Sequence, residues 1–241
     1  MSKHYTTNYN VPFYQSDATQ HMALSALLAV ALQVSGMQSI ELSRSDDWIR
    51  EHYGLAWIVT DYAIQVTRLP RFKETVTIET EAASYNKLFC YRDFWYKDSE
   101  GQILVTIHSS WVLMSLESRK VSRIIEEIVE PFDAHYVKEI PKGHHFESFE
   151  AEKSEIHKVR YADIDNNQHV NNAIYLDWAV NPLGFQFLTT HRPQEIYVKY
   201  NHEVLAESDV TVGLLQQGLV SLIGINDKDC QVEIHWETVQ S

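Results

Sequence analysis

A five-residue phrase occurs twice in this chain, as Asp17-Ala-Thr-Gln-His21 and as Asp165-Asn-Asn-Gln-His169. Each copy follows an apolar stretch with a tyrosine just upstream, Tyr14 and Tyr161, and each runs directly into a helix-like segment. Matching phrases at matching places imply duplication, and at 241 residues each half is long enough to form a core of its own. The likeness extends past the helix, where Trp57-Ile-Val-Thr-Asp-Tyr62-Ala-Ile-Gln65-Val66 aligns with Glu195-Ile-Tyr-Val-Lys-Tyr200-Asn-His-Glu203-Val204 and sets Gln65 against Glu203. Two sets result: Asp17, Thr19, His21 and Gln65 in the first unit, and Asp165, Asn167, His169 and Glu203 in the second. Only the second carries an additional ionisable base.

Each unit reads as strand, turn, long helix and then several strands. Leu24, Leu27, Leu28, Ala31 and Leu32 keep the i, i+3, i+4, i+7, i+8 spacing of a buried helical stripe, and Gly36 is the expected stop. In the second unit Asn171 or Asn172 can cap a helix that carries Ile174, Tyr175, Trp178 and Ala179 inward, with Pro182 ending or kinking it. Alternating runs such as residues 74–80 and 208–212 indicate sheet, and the clusters at 98–101 and 226–229 mark hairpins in equivalent positions. The expected class is α+β, a double (tandem) hotdog in which each repeat wraps an antiparallel sheet around a long helix. Its parts are a first hotdog over 1–125, a linker over 126–155 and a second hotdog over 156–241. Pairing the two sheets would leave an extended apolar interior suited to a long acyl chain.

Composition narrows the partners. A net charge of -13, with both halves acidic, argues against nucleic acid, which needs a basic face. The polar N-terminus lacks a secretory run, and Met22 to Val34 is too short to cross a bilayer, so a cytoplasmic protein without stable membrane insertion is expected. Two cysteines, Cys90 and Cys230, lie in strand-like sequence without neighbours; they read as buried apolar residues rather than a disulfide or metal site. The adjacent pair His144 and His145 points two ways, and no metal or cofactor is expected. Positive charge concentrates locally at Arg68, Arg71 and Lys73, and again at Lys87 and Arg92.

Alternate positions in the second turn tend to share a side, so Asp165, Asn167 and His169 can converge, with Glu203 brought up by the following strand. Histidine moves protons near neutral pH, a carboxylate orients it or acts as base, and an asparagine amide can donate to an oxyanion. Those parts suit hydrolysis of an activated carbonyl. The run Asp165-Asn-Asn-Gln-His-Val-Asn-Asn172-Ala-Ile-Tyr175 closely resembles the D-x-N-x-H-V-N-N signature of plant and bacterial acyl-ACP thioesterases. Residues 198–203 resemble that family's strand bearing the catalytic glutamate, and Trp57-Ile-Val-Thr60 resembles its N-terminal hotdog. The resemblance implies release of free fatty acid from acyl carrier protein, with Asp165, Asn167, His169 and Glu203 as catalytic residues. Plant members commonly carry cysteine after the glutamate; Val204 stands there, which removes a Cys-His mechanism and leaves water activation.

Further expectations concern substrate and partner. Leu24, Leu27, Leu28, Ala31 and Trp57 are candidates for the acyl-binding wall, and Arg68, Arg71 and Lys73 for docking an acyl carrier protein that is itself acidic. A monomer or homodimer is expected, since one chain already pairs two hotdogs. Rival readings are a hotdog hydratase or dehydratase of acyl thioesters and a non-catalytic acyl-binding protein.

Overall fold

A computed structural model describes residues 2–165 and 168–239. The first unit runs through β1 (His4–Asn10), α1 (Leu24–Glu41), α2 (Asp46–Tyr53), β2 (Leu55–Val66), β3 (Thr75–Tyr85), β4 (Phe89–Lys97), β5 (Ile103–Ser115) and a short β6 (Val121–Ser122). After α3 (Glu126–Val129) and β7 (His135–Tyr136), the second unit follows with β8 (Lys153–Lys158), α4 (Ile174–Val180), α5 (Phe185–Thr190), β9 (His191–Tyr200), β10 (Asp209–Gln217), β11 (Val220–Ile225) and β12 (Cys230–Thr238).

Strand order carries the duplication into space. Among the described residues the sheet runs β1-β3-β4-β5-β2-β9-β12-β11-β10-β8, so each unit contributes five strands in the same internal order. The halves meet where β2 pairs antiparallel with β9, from Asp61 opposite Lys199 to Gln65 opposite Glu195. One continuous sheet thus joins two hotdogs. Period-2 patterning turns one face inward: Val76, Ile78 and Thr80 of β3 and Val210, Val212 and Leu214 of β10 are buried, with polar neighbours between them. The expected hairpins are present, joining β4 to β5 and β11 to β12.

Helix α1 is rich in apolar residues and buries its inner surface while Gln33, Met37 and Ile40 stay exposed. Leu27, Leu28, Val30, Ala31 and Val34 are withdrawn from solvent in the main core, and the helix packs on β1, β3 and α4. It runs through Gly36, where an added Cβ would meet nothing within 4 Å, and it stops only near Ser43 at φ 58°. A helical glycine costs about 1 kcal/mol relative to alanine, which the helix's packing through Val30, Ala31 and Val34 offsets. With 18 residues and a mean hydropathy of 1.2, α1 is long and apolar enough to span a bilayer, contrary to the expectation from residues 22–34. Here it serves as a core helix.

The second unit's helix is shorter than expected. Asn171 Oδ1 accepts from the Ala173 N–H at 2.9 Å and α4 follows for seven residues. Pro182 then enters a 3-10 turn, and Gly184 at φ 81° redirects the chain into α5. Residues 126–155 also carry more structure than a plain linker. Ile128, Val129 and Ile49 share a second cluster with Leu55 and Leu113, while residues 137–152 hold no helix or strand. His144 stacks on Tyr197 at 3.8 Å and meets Glu233 Oε2 at 2.9 Å, fastening that strap to the sheet.

Candidate active site

The repeated phrase is a backbone device. In the second unit the Asp165 N–H donates to the His169 carbonyl at 3.0 Å, and the Gln168 N–H to the Asp165 carbonyl at 3.0 Å. The first unit repeats this: Asp17 N–H to His21 carbonyl at 2.8 Å, and Gln20 N–H to Asp17 carbonyl at 3.0 Å. Gln20 and Gln168 both adopt left-handed φ, 62° and 67°, a conformation uncommon for a side chain with a Cβ. In the first copy Asp17 Oδ1 also accepts from the Thr19 N–H and hydroxyl at 2.7 and 2.6 Å. Both copies therefore share the same main-chain turn, and in the first the Asp17 side chain also braces it.

Beyond the turn the copies part. The Val170 N–H donates to the Val204 carbonyl at 3.1 Å and His169 bridges Leu205, drawing the segment after β9 against the turn. His169 Nε2 then lies 3.2 Å from Glu203 Oε2. The guanidinium Nη2 of Arg119, on the first unit's β5–β6 hairpin, contacts the same Oε2. Both His169 and Glu203 are partly exposed, at 26% and 30% of their side chains, so a substrate can reach them. Behind them, the Val204 N–H donates to the buried Tyr175 hydroxyl at 3.0 Å, and the Tyr200 hydroxyl donates to the Asn172 carbonyl at 2.8 Å.

Register in the first unit corrects one expected pairing. The Met22 N–H donates to the Pro70 carbonyl, and His21 bridges Arg71, as Val170 does to Val204 and His169 to Leu205. Pro70 therefore matches Val204, and the position equivalent to Glu203 is Leu69, not Gln65. Gln65 lies mid-strand, exposed, opposite Glu195 and Thr106. The four-residue slip comes from setting Tyr62 on Tyr200, whereas β2 ends at Val66 and β9 at Tyr200, which makes Val66 the counterpart of Tyr200. Leu69 is 4% exposed. The first turn accordingly has no carboxylate in Glu203's place, and burial, with the Arg192 cation next, pushes the His21 imidazole below its usual range.

Other expected site residues distribute as follows. Asp165 forms its turn as described, and Asn167 lies outside the described residues. Leu27, Leu28 and Ala31 are packed with essentially no exposed surface. Of that stripe Leu24 reaches a cavity, about 270 Å³, which also involves Thr19, Leu69, Leu188, Arg192 and Trp236 and therefore sits at the first turn. Trp57 packs in the smaller cluster beside Ile49 and Leu55, at the N-terminal end of β2 and away from Tyr62, Ile64 and Val66. Among the basic candidates, Arg68 is held in two hydrogen bonds by Glu74 at 2.7 and 2.9 Å, leaving Arg71 and Lys73 exposed beside the first turn. Arg92 turns inward to Gln38 and Thr80, so it adds nothing to a surface patch.

Neither thiol competes as nucleophile. Burial pushes the Cys90 thiol up to about 12 and also raises that of Cys230, while Val204 is itself core. Sequence reasoning missed Arg119, which arrives from 84 residues away with no local signal, and it treated Tyr175 as apolar filling. The assembled parts are an imidazole and a carboxylate in contact, an arginine on the carboxylate and a hydrogen-bonded turn beneath.

Residues 2–132 match the acyl-ACP thioesterase N-terminal domain, and residues 146–238 the acyl-ACP thioesterase C-terminal domain. A Lactobacillus plantarum protein, provisionally described as an oleoyl thioesterase, has a crystal structure with TM-score 0.93 at 36% identity, covering 100% of this chain and 98% of that one. The 12:0-ACP thioesterase from Umbellularia californica shares the fold, with TM-score 0.85 at 19% identity over 98% of each chain. The chloroplastic palmitoyl-acyl carrier protein thioesterase of Gossypium hirsutum is 26% identical over 217 residues, 83% of this chain and 52% of its own. This chain spans about half the length of the curated relatives it matches. Both domain families are matched, in order and over most of the sequence, and the chain belongs to the acyl-ACP thioesterase family.

Proposed function

We propose that this protein hydrolyses the thioester of fatty acyl-acyl carrier protein, releasing free fatty acid and the carrier's thiol. The observation that carries the reading is the 3.2 Å contact between His169 and Glu203, since the first turn meets Leu69 where the second meets that carboxylate. Glu203, directly or through His169, takes a proton from water. The water oxygen bonds to the thioester carbon, and the carbonyl electron pair moves onto oxygen. Collapse of that intermediate breaks the carbon–sulfur bond, and the departing thiolate receives the proton from the same pair. Asn167 is assigned the placing of the water or the carbonyl oxygen, and Asp165 the holding of the turn.

Carrier docking is read from charge near the site. The hairpin whose Arg119 touches Glu203 also exposes Lys120 and Arg123, whereas Arg71 and Lys73 flank the first turn. An acidic carrier delivering its acyl group to Glu203 is better served by the hairpin. The test is product analysis with acyl-ACPs of graded chain length. Free fatty acid with one thiol released per turnover is expected, and Glu203→Gln should lose about 10²–10⁴ in rate. An enoyl product, or binding with no thiol release, would overturn the proposal.

A further inference from the structure

We propose that Arg119 is a positioning residue for catalysis, through which the first unit completes the active site of the second. The inference rests on the reading of Glu203 as the base. Arg119 Nη2 and His169 Nε2 converge on one oxygen of Glu203, Oε2, while Oε1 has no partner among the described residues. A carboxylate gripped by one oxygen from two directions cannot swivel, and its other oxygen is aimed at a fixed point where a water can be held.

The grip has a firm origin. Arg119 sits in a tight hairpin in which its N–H donates to the Ser115 carbonyl at 2.9 Å and the Ser115 N–H to the Lys120 carbonyl at 2.9 Å. The Leu116 N–H donates to the Gly54 carbonyl at 3.0 Å, tying the hairpin to the start of β2. Glu203 is anchored separately, by the Val204 bonds to Val170 and Tyr175. Two independently fixed backbones thus meet through one ion pair that spans the units. At 46% exposure the arginine side chain adds little burial, so its work lies in orientation rather than in packing.

The test compares Arg119→Ala, Arg119→Lys and Glu203→Gln in acyl-ACP hydrolysis, with melting temperature measured in parallel. Misplacing a reacting group by about 1 Å costs up to about 100-fold. Arg119→Ala is therefore expected to lower kcat about 10- to 100-fold with KM and melting temperature little changed. Added guanidinium should restore part of the rate, and Arg119→Lys should retain more activity than Arg119→Ala. Combined with Glu203→Gln, Arg119→Ala should cause no further loss, because both act through one group. Wild-type rates in Arg119→Ala alongside an inactive Glu203→Gln would overturn the role of Arg119 alone. A parallel fall in kcat and melting temperature, unresponsive to guanidinium, would overturn it in favour of a structural part. Full activity in Glu203→Gln would sink the underlying reading of the base.

Discussion

Tyr175→Phe removes one oxygen and tests how the segment bearing Glu203, the proposed base, is held. The Tyr175 hydroxyl is the acceptor for the Val204 N–H at 3.0 Å, and Tyr175 and Val204 are only 2% and 3% exposed. Phenylalanine fills the same space but leaves that N–H without a partner, at a cost of about 1–3 kcal/mol. Unfolding entropy near the midpoint is about 2.1 cal/mol/K per residue, hence about 0.5 kcal/mol/K for a chain of this length, so the melting temperature should fall by about 2–6 °C. Glu203 is the preceding residue, and in the proposed mechanism its carboxylate acts only where His169 can reach it, so kcat should fall about tenfold while KM stays near its original value. Scanning calorimetry and steady-state acyl-ACP hydrolysis read the two effects. A variant that melts within about a degree of wild type and turns over at full rate would refute the anchoring argument.

Other perturbations address the division of labour between the units. Gln65→Ala should leave kcat essentially unchanged, whereas Leu69→Ala should destabilise the fold by about 2–5 kcal/mol; loss of turnover in Gln65→Ala with an intact melting temperature would restore the rejected register. Charge reversal at Lys120 and Arg123 should raise KM for acyl-ACP about tenfold and spare hydrolysis of a small acyl thioester, with a smaller effect from reversing Arg71 and Lys73; the opposite ranking would move the docking surface to the first turn. The hydrogen bonds from Arg68 hold the Glu74 carboxyl below the usual carboxylate range, so the stability it contributes is present above that range and lost as pH falls through its lowered value. Arg68→Ala should therefore melt below wild type at neutral pH and converge with it as the pH falls below Glu74's lowered range, checked by melting curves across pH; a gap independent of pH would discount the pair.

Duplication was legible in the chain because the turn is a local structure. Its main-chain hydrogen bonds close within five residues in both copies, between Asp17 and His21 and between Asp165 and His169, so the turn's spacing is written in sequence. Alternation in the strands and the apolar stripe of α1 follow equally from local periodicity, and together they indicated two hotdogs. The membership of His169 and Glu203 in one site was readable from the family's motif, and the structure brings the two side chains together.

Tertiary structure alone decided the rest. Residue type sets Tyr62 on Tyr200, and only the hydrogen bonds from Met22 and Val170 reveal that Leu69, not Gln65, stands in Glu203's place. Gly36 leaves α1 unbroken because the core around the helix outweighs its weak local preference. Glu74 holds Arg68, and Arg119 reaches Glu203 across the units, neither of which any local pattern signals. Local residues specify a turn or a strand through bonds that span a few positions. A side chain's partner 84 residues away is set by where two separately folded units bring their edges together, and no short window of sequence contains that information.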